Sequence, residues 1–151
     1  MYDTILLPFD GSQGAKSALT RAGELADWAE ANITLLYVAD TTQHSVTVVE
    51  GEIVDVLVGE GDEILAEGSD IVDGLGISHD TDVVQGNPPQ TIVEYAERYE
   101  YDLIVIPTHG REGISRYLLG SVSEKVVRLS STPVLTTRMQ PDERHQFPYQ
   151  N

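Results

Sequence analysis

The stretch Leu103–Arg128 decides how this chain folds. It reads LIVIP at 103–107, THGREGISRYLLGS at 108–121 and VSEKVVR at 122–128. The first piece is an apolar run that ends at a proline, and the loop that follows contains three glycines. From Ser121 onward the apolar residues recur at helical spacing. The pattern therefore predicts a strand, a long loop and a helix.

The loop between this strand and helix favours binding of an anion. A helix begins with N–H groups that lack acceptors within the helix and with the positive end of its dipole. Gly110 and Gly113 permit the backbone conformations of a cradle, and Gly120 allows a phosphate to approach the backbone closely. Between Leu103 and Ser123 the sequence has two arginines and a histidine but a single acid.

Two polar residues near these loops have a structural and a functional interpretation. Ser121 could be the N-cap of a capping box in which Glu124 reaches back, or its hydroxyl could donate to a phosphate. The two roles are compatible, since a hydroxyl both accepts and donates. Asp10, at the end of the first strand, could bind a nucleotide or cap the next helix.

The rest of the chain alternates between apolar runs and helical periods. Strands are predicted at 3–9, 33–39, 77–84, 103–107 and 133–137, and helices at 13–30, 52–74, from 88 and at 121–130. Asn87 is the predicted N-cap of the third helix, and Ile92, Val93, Ala96 and Tyr99 form its predicted buried face. Residues 41–51 read as a loop. The polar segment 139–151 reads as a tail beyond one domain at 1–138.

This alternation predicts an α/β fold with a parallel sheet and helices on both faces. Ligands of such sheets bind beyond the carboxyl ends of the strands, where the strand order reverses. The loops after strands one and four can share a ligand only if those strands are neighbours, which favours the order 3-2-1-4-5. The polar third strand and the short fifth strand then lie at the two edges.

The composition restricts the partners and the compartment. There are 25 Asp and Glu residues against 9 Lys and Arg, which gives a net charge of −16 and disfavours nucleic acid and anionic membranes as partners. Such a surface is typical of a salt-rich cytoplasm, as in a halophilic archaeon; the alternative is an ordinary acidic protein. Cysteine is absent, no apolar run approaches the length of a membrane span, and no signal peptide is recognisable, so we expect a cytoplasmic protein.

Several familiar motifs are missing. The sequence contains no Walker A motif, no dinucleotide G-x-G-x-x-G in the loop and no G-x-S-x-G around Ser121. The four histidines are scattered along the chain without metal-ligand spacing, so no metal site is expected.

With these residues in view, the chain resembles the universal stress protein family over residues 2–138. The family's glycine motif is G-x2-G-x9-G-[ST], and residues 107–121 match it except that Pro107 replaces the first glycine. The segment ILLPFDGS at 5–12 is similar to the family's first strand and loop, and GNP at 86–88 and STPVL at 131–135 also look like family features.

The resemblance implies an adenine nucleotide ligand, ATP or AMP, with or without Mg²⁺. In this family the aspartate after the first strand and the backbone at position 38 contact adenosine, whereas the glycine loop and the start of the last helix contact the phosphates. The implied nucleotide-binding residues are Pro8, Asp10, Val38, Pro107, His109, Gly110, Gly120, Ser121 and Val122.

The resemblance also implies a Rossmann-like fold, a regulatory role in the stress response and a homodimer paired along the fifth strands. Two alternatives remain open: a dimeric scaffold that binds no nucleotide, and a slow ATPase. The ATPase lacks an evident general base unless His109 or Asp10 serves. Because Pro107 has no N–H and adds a ring, we expect weaker nucleotide binding than in members with glycine.

Overall fold

The apolar runs form one five-stranded parallel sheet in the computed structural model, which describes residues 2–41, 50–108 and 120–138. The strand order is β3-β2-β1-β4-β5, so the predicted fold class and strand order are confirmed. The elements are β1 Thr4–Pro8, α1 Gln13–Ala29, β2 Asn32–Ala39, α2 Glu50–Leu75, β3 His79–Gln85, α3 Pro88–Arg98, β4 Leu103–Pro107, α4 Ser121–Leu129 and β5 Val134–Thr137.

The central strands are buried on both faces. Alternate side chains of a strand point to opposite sides of the sheet. Ile5 and Leu7 of β1 therefore belong to a core formed with α1 and α2. Leu6 and Ile104 belong to a second core formed with α3 and α4. Two layers of helices thus enclose the sheet, which explains why β1 and β4 are continuous apolar runs.

Small residues bring the helices on the first face close to the sheet. Ala15, Ala18 and Ala22 of α1 are almost completely buried. In α2 a Cβ added to Gly61 would lie 2.4 Å from the ring of Tyr37, and one added to Gly68 would lie 2.8 Å from Leu35. These two glycines cost helix propensity, but they allow α2 to pack directly on β2.

The strands at the two edges have the predicted character. β3 pairs only with β2 and β5 only with β4 among the described strands. The side chains of β3 are exposed or half-buried, and Leu135 of β5 is 43% exposed. A polar strand and a short strand therefore flank the apolar centre.

Several predicted boundaries and one buried residue were wrong. α2 begins at Glu50, so the last two residues of the predicted loop 41–51 are helical, while residues 42–49 and the tail 139–151 lie outside the described part of the chain. Tyr99 was predicted to be buried but is 56% exposed. Because α3 ends at Arg98, Tyr99 no longer follows the helical period, and its ring lies on that of Tyr95 at 4.8 Å between centroids.

Candidate functional site

The carboxyl ends of β1 and β4 lie side by side at the centre of the sheet. From β1 the chain proceeds to β2 and β3 on one side, and it then crosses to β4 and β5 on the other. The strand order reverses between β1 and β4, where ligands of such sheets bind. The structure therefore brings the ends of β1 and β4, after which the two loops begin, to one crevice between neighbouring strands, as the sequence predicted.

Two prolines end the pairing of β1 with β4 before the strands themselves end. The register contains only the pairs Ile5 with Leu103 and Leu6 with Ile104, whereas β1 and β2 share five pairs. Continued one step at a time, that register would place Pro8 opposite Ile106 and Phe9 opposite Pro107. Proline has no N–H to donate, so neither Pro8 nor Pro107 can extend the ladder.

The hydrogen bonds of neighbouring residues show toward which adjacent strand the backbone nitrogen of Pro107 points. In a parallel sheet the N–H groups of one strand point alternately to the two adjacent strands. The N–H groups of Ile104 and Thr108 donate to the carbonyls of Pro133 and Thr137, on the β5 side. The nitrogen of Pro107 consequently faces β1, and the donor that the proline lacks would have pointed into the crevice.

Val38 presents backbone groups to the same crevice. In β2 the N–H of Ile33 donates to Ser78 on the β3 side, whereas that of Asn32 donates to Asp3 on the β1 side. By the same alternation, the backbone of Val38 faces the β1 side. Its side chain is half-buried and packs against the core under α3 and α4. Backbone groups are therefore what Val38 can offer to a ligand there.

The loop after β1 is a tight turn that carries Asp10. The N–H of Ser12 donates to Oδ1 of Asp10 at 2.9 Å. Gly11 has φ +77°, a conformation that favours glycine, and a Cβ there would lie 3.2 Å from Ile64. The N-cap of α1 is Ser12, whose hydroxyl accepts from the N–H of Ala15 at 3.1 Å. The alternative in which Asp10 itself caps α1 is wrong.

The start of α4 differs from the predicted capping box. Gly120 is the N-cap, with extended φ −62° and ψ 160°, and Ser121 is the first helical residue. The carbonyl of Gly120 accepts from the N–H of Glu124 at 2.9 Å. The helix therefore starts one residue earlier than a box on Ser121 requires, and no side chain caps it. The hydroxyl of Ser121 is not used as a cap, and the residue is exposed.

Two bonds join α4 to the end of β4. The N–H of Gly120 donates to the carbonyl of Thr108. The hydroxyl of Ser123 donates to the carbonyl of Pro107 at 2.6 Å. Thr108 and Ser123 were not among the predicted site residues. A serine three positions before the buried Val126 was the available signal, since a polar residue on a buried helix face needs a partner.

The described part of the chain thus places six predicted residues near the carboxyl ends of β1, β2 and β4, and a seventh, Val122, is half-buried against the second core. The six are Pro8, Asp10, Val38, Pro107, Gly120 and Ser121. His109 and Gly110 lie outside the described residues, as do the two arginines of the loop.

Neither a metal-binding cluster nor a membrane-spanning helix occurs among the described residues. No group of three or more histidine or acidic side chains in residues 2–41, 50–108 and 120–138 is arranged to hold a metal ion. In the same ranges, no helix combines the length and the apolar character that a membrane crossing needs.

Comparison with known proteins identifies the family. The model of the universal stress protein family matches residues 1–138. The chain belongs to this family. Universal stress protein MJ0531 of Methanocaldococcus jannaschii is 34% identical over 141 residues, which cover 91% of this chain and 83% of that protein.

Solved structures of universal stress proteins share the fold. The structure of MJ0577, also from Methanocaldococcus jannaschii, has a TM-score of 0.83 at 30% identity and covers 93% of this chain and 98% of its own. A universal stress protein in complex with cAMP has a TM-score of 0.71 at 28% identity, covering 92% of this chain and 99% of its own. Two more distant structures, at 20% and 22% identity, contain AMP and dAMP and show the fold alone.

Proposed function

We propose that this universal stress protein binds an adenine nucleotide, ATP or AMP, and acts as a nucleotide-responsive regulator of the stress response. The observation that carries the proposal is the gap between β1 and β4. Their ladder stops before two prolines, and Asp10, Val38 and the start of α4 lie at this same end of the strands. A related universal stress protein at 28% identity contains cAMP, which supports an adenine ligand.

Each side of the gap suits a different part of the nucleotide. Asp10 and the backbone of Val38 can accept and donate hydrogen bonds to the ribose and the adenine, with Pro8 beneath them. On the other side, the N–H groups of Ser121 and Val122 belong to the first turn of α4 and have no acceptor within the helix. They point along the positive end of its dipole, which favours a phosphate.

His109 and Gly110 complete the proposed phosphate side by their place in the glycine motif. Mg²⁺ is proposed with ATP, because it reduces the charge that the phosphates bring to a chain of −16. Pro107 lowers the affinity relative to a glycine, since it withholds one N–H that would face the gap.

Mass spectrometry of the small molecules released from the purified, denatured protein tests this function. We expect AMP or ATP in an amount close to one molecule per chain. Release of a flavin would contradict the proposal. It would also be contradicted by protein that releases no adenine nucleotide and takes up neither ATP nor AMP in equilibrium dialysis.

A dimeric scaffold that needs no nucleotide is the second candidate, and the β5 edge favours it. Leu135 is exposed on β5, and Val127 and Leu129 of α4 are also exposed. The carbonyls of Pro133 and Thr137 accept from β4, so by alternation the N–H of Thr136 points away from the sheet. An edge with free donors and apolar side chains suits pairing with a second copy.

Thr136→Pro tests this homodimer, because it removes the outward N–H and leaves the ladder to β4 intact. We expect light scattering to give a dimer for the wild type and a monomer for Thr136→Pro, with Thr136→Ala as the control that keeps the N–H. A dimer in all three proteins would exclude pairing along β5. A monomeric wild type would exclude the scaffold.

We also propose that this protein works in the salt-rich cytoplasm of a halophile. Acidic residues outnumber basic ones by 25 to 9, and the repulsion between them is screened at high ionic strength.

A further inference from the structure

Ser123 is a buried polar residue whose hydroxyl bonds to the end of β4 at the candidate site. It is 3% exposed and is the third residue of α4. Its hydroxyl donates to the carbonyl of Pro107 at 2.6 Å, across 16 positions of sequence. Pro107 is the last residue of β4 and is itself buried. The bond therefore joins the end of the central strand to the first turn of the helix.

This bond controls where the first turn of α4 lies. The N–H of Gly120 donates to the carbonyl of Thr108, so residues 107 and 108 are tied to the helix at two successive points. The bond of Gly120 involves the N-cap, whose backbone is still extended. Of these two bonds, that of Ser123 is made by the helical turn that contains the N–H groups of Ser121 and Val122, a turn that also packs on the second core through Val122.

We propose that Ser123 is a positioning residue of the nucleotide site, which places the start of α4 at the distance from β1 that a phosphate requires. This inference rests on the proposed function. Beyond that function, we infer that recognition of the phosphates depends on the side chain of Ser123, which does not contact the ligand, whereas recognition of the adenosine does not depend on it. A displacement of the donors by a fraction of an ångström weakens bonds to a phosphate, because hydrogen bonds depend steeply on distance and angle.

Binding measurements distinguish this positioning role of Ser123 from a merely structural role. If the bond only held α4 on the sheet, its loss would lower the melting temperature and weaken all ligands alike. If it positions the helix start, its loss weakens phosphorylated ligands selectively. The informative quantity is the ratio of the Kd for adenosine to the Kd for ATP, measured by calorimetry on the same protein.

The variants that separate these roles differ by single atoms. Ser123→Ala removes the hydroxyl, and Ser123→Thr keeps it. Ser130→Ala is the matched control, because the hydroxyl of Ser130 donates to the carbonyl of Thr132 at 2.7 Å at the opposite end of α4. Ser123→Cys keeps the volume and weakens the donor, and it replaces the alanine variant if that protein does not fold.

We expect Ser123→Ala to raise the Kd for ATP about tenfold, equivalent to about 1.4 kcal/mol, and to leave the Kd for adenosine within about twofold. Ser123→Thr and Ser130→Ala keep the wild-type ratio. A wild-type ratio in Ser123→Ala, with a lower melting temperature, overturns the positioning role but leaves nucleotide binding in place. A wild type that binds neither ligand overturns both proposals.

Discussion

Replacing Pro107 with glycine changes the one position at which this chain departs from the family's glycine motif. The nitrogen of residue 107 faces β1, because the N–H groups of Ile104 and Thr108 on either side donate to β5. In Pro107→Gly a new N–H therefore points into the gap between β1 and β4. The bulk of the proline ring is removed from the same place.

The size of the effect follows from the kind of bond that is gained. A hydrogen bond to an ionised group contributes about 1.5 to 3 kcal/mol. If the new N–H reaches the nucleotide phosphate, this corresponds to a Kd for ATP that is about 10- to 100-fold lower. Whereas the affinity for ATP rises, the stability of the protein falls. Losing the restraint of a proline lowers the free energy of unfolding by about 1 kcal/mol.

Isothermal titration with ATP measures the affinity, and chemical denaturation measures the stability of the same samples. Pro107→Ala separates the effect of the restored N–H from that of the removed bulk, because it restores the N–H but keeps a side chain. Pro133→Gly is the control for the general effect of replacing a proline with glycine. It makes the same replacement next to β5, at the opposite end of the strands from the gap.

A different partner for the restored N–H would give the opposite result. The restored N–H could instead donate to the carbonyl of Pro8 and extend the ladder between β1 and β4. Pro107→Gly would then be more stable than the wild type and would bind ATP no better. That outcome would show that position 107 limits strand pairing rather than ligand binding.

Three further predictions concern the fold. Raising KCl from about 0.1 M to about 2 M should raise the melting temperature by about 10 °C, at about 3 °C per kcal/mol of relieved repulsion; an unchanged melting temperature would remove the case for a salt-rich cytoplasm. Hydrogen bonds from the N–H groups of Asp3 and Thr4 hold the pKa of Asp102 below its usual value. The stability that Asp102 contributes is therefore complete above about pH 4 and is lost as the pH falls through the lowered pKa. Asp102→Ala should lose about 1 to 2 kcal/mol at pH 7 in urea unfolding, and its deficit should shrink toward pH 2; a deficit that is the same at both pH values would contradict the assignment. In α2, Gly59→Ala should stabilise by about 0.5 to 1 kcal/mol, since nothing lies within 4 Å of an added Cβ, whereas Gly68→Ala should destabilise by about 1 to 3 kcal/mol because its Cβ would meet Leu35 and Phe9. Thermal unfolding of both variants decides this, and a loss of stability in Gly59→Ala equal to that in Gly68→Ala would argue against close packing as the cause.

The strand order could be predicted because the chemistry of two loops restricted it. Apolar runs predicted which segments are strands, but they carry no information on which strands are neighbours. The requirement that Asp10 and the glycine loop share a ligand placed β1 beside β4. The polar composition of β3 and the shortness of β5 then assigned the edges, and the structure confirmed the resulting strand order.

The local errors have a common physical origin. The capping-box pattern predicts the N-cap of α4 at Ser121, but the extended cap residue is Gly120 and Ser121 is already helical. Tyr99 fits the helical period of α3 and yet lies one residue beyond its end. Helix ends depend on the conformation of single residues, which periodicity does not determine.

The features that matter most at the site depend on three-dimensional register. Pro8 and Pro107 are separated by almost a hundred residues, and only the register of β1 with β4 shows that both interrupt the same ladder. The partner of Ser123 is equally remote in sequence. In the same way, the sequence shows only that the glycines of α2 lower its helix propensity. Their close approach to Tyr37 and Leu35, which explains their presence, is visible only in the structure.

We propose that an adenine nucleotide binds in the gap between β1 and β4, against the start of α4. Calorimetric titration of ATP with Mg²⁺ into the wild type and into Gly120→Val, both at about 2 M KCl, tests it most directly. A valine at the N-cap keeps the extended backbone but blocks the approach of a phosphate. We expect saturable binding of one ATP per chain to the wild type and no binding to Gly120→Val. No binding by the wild type at millimolar ATP, or equal binding by both proteins, would contradict it.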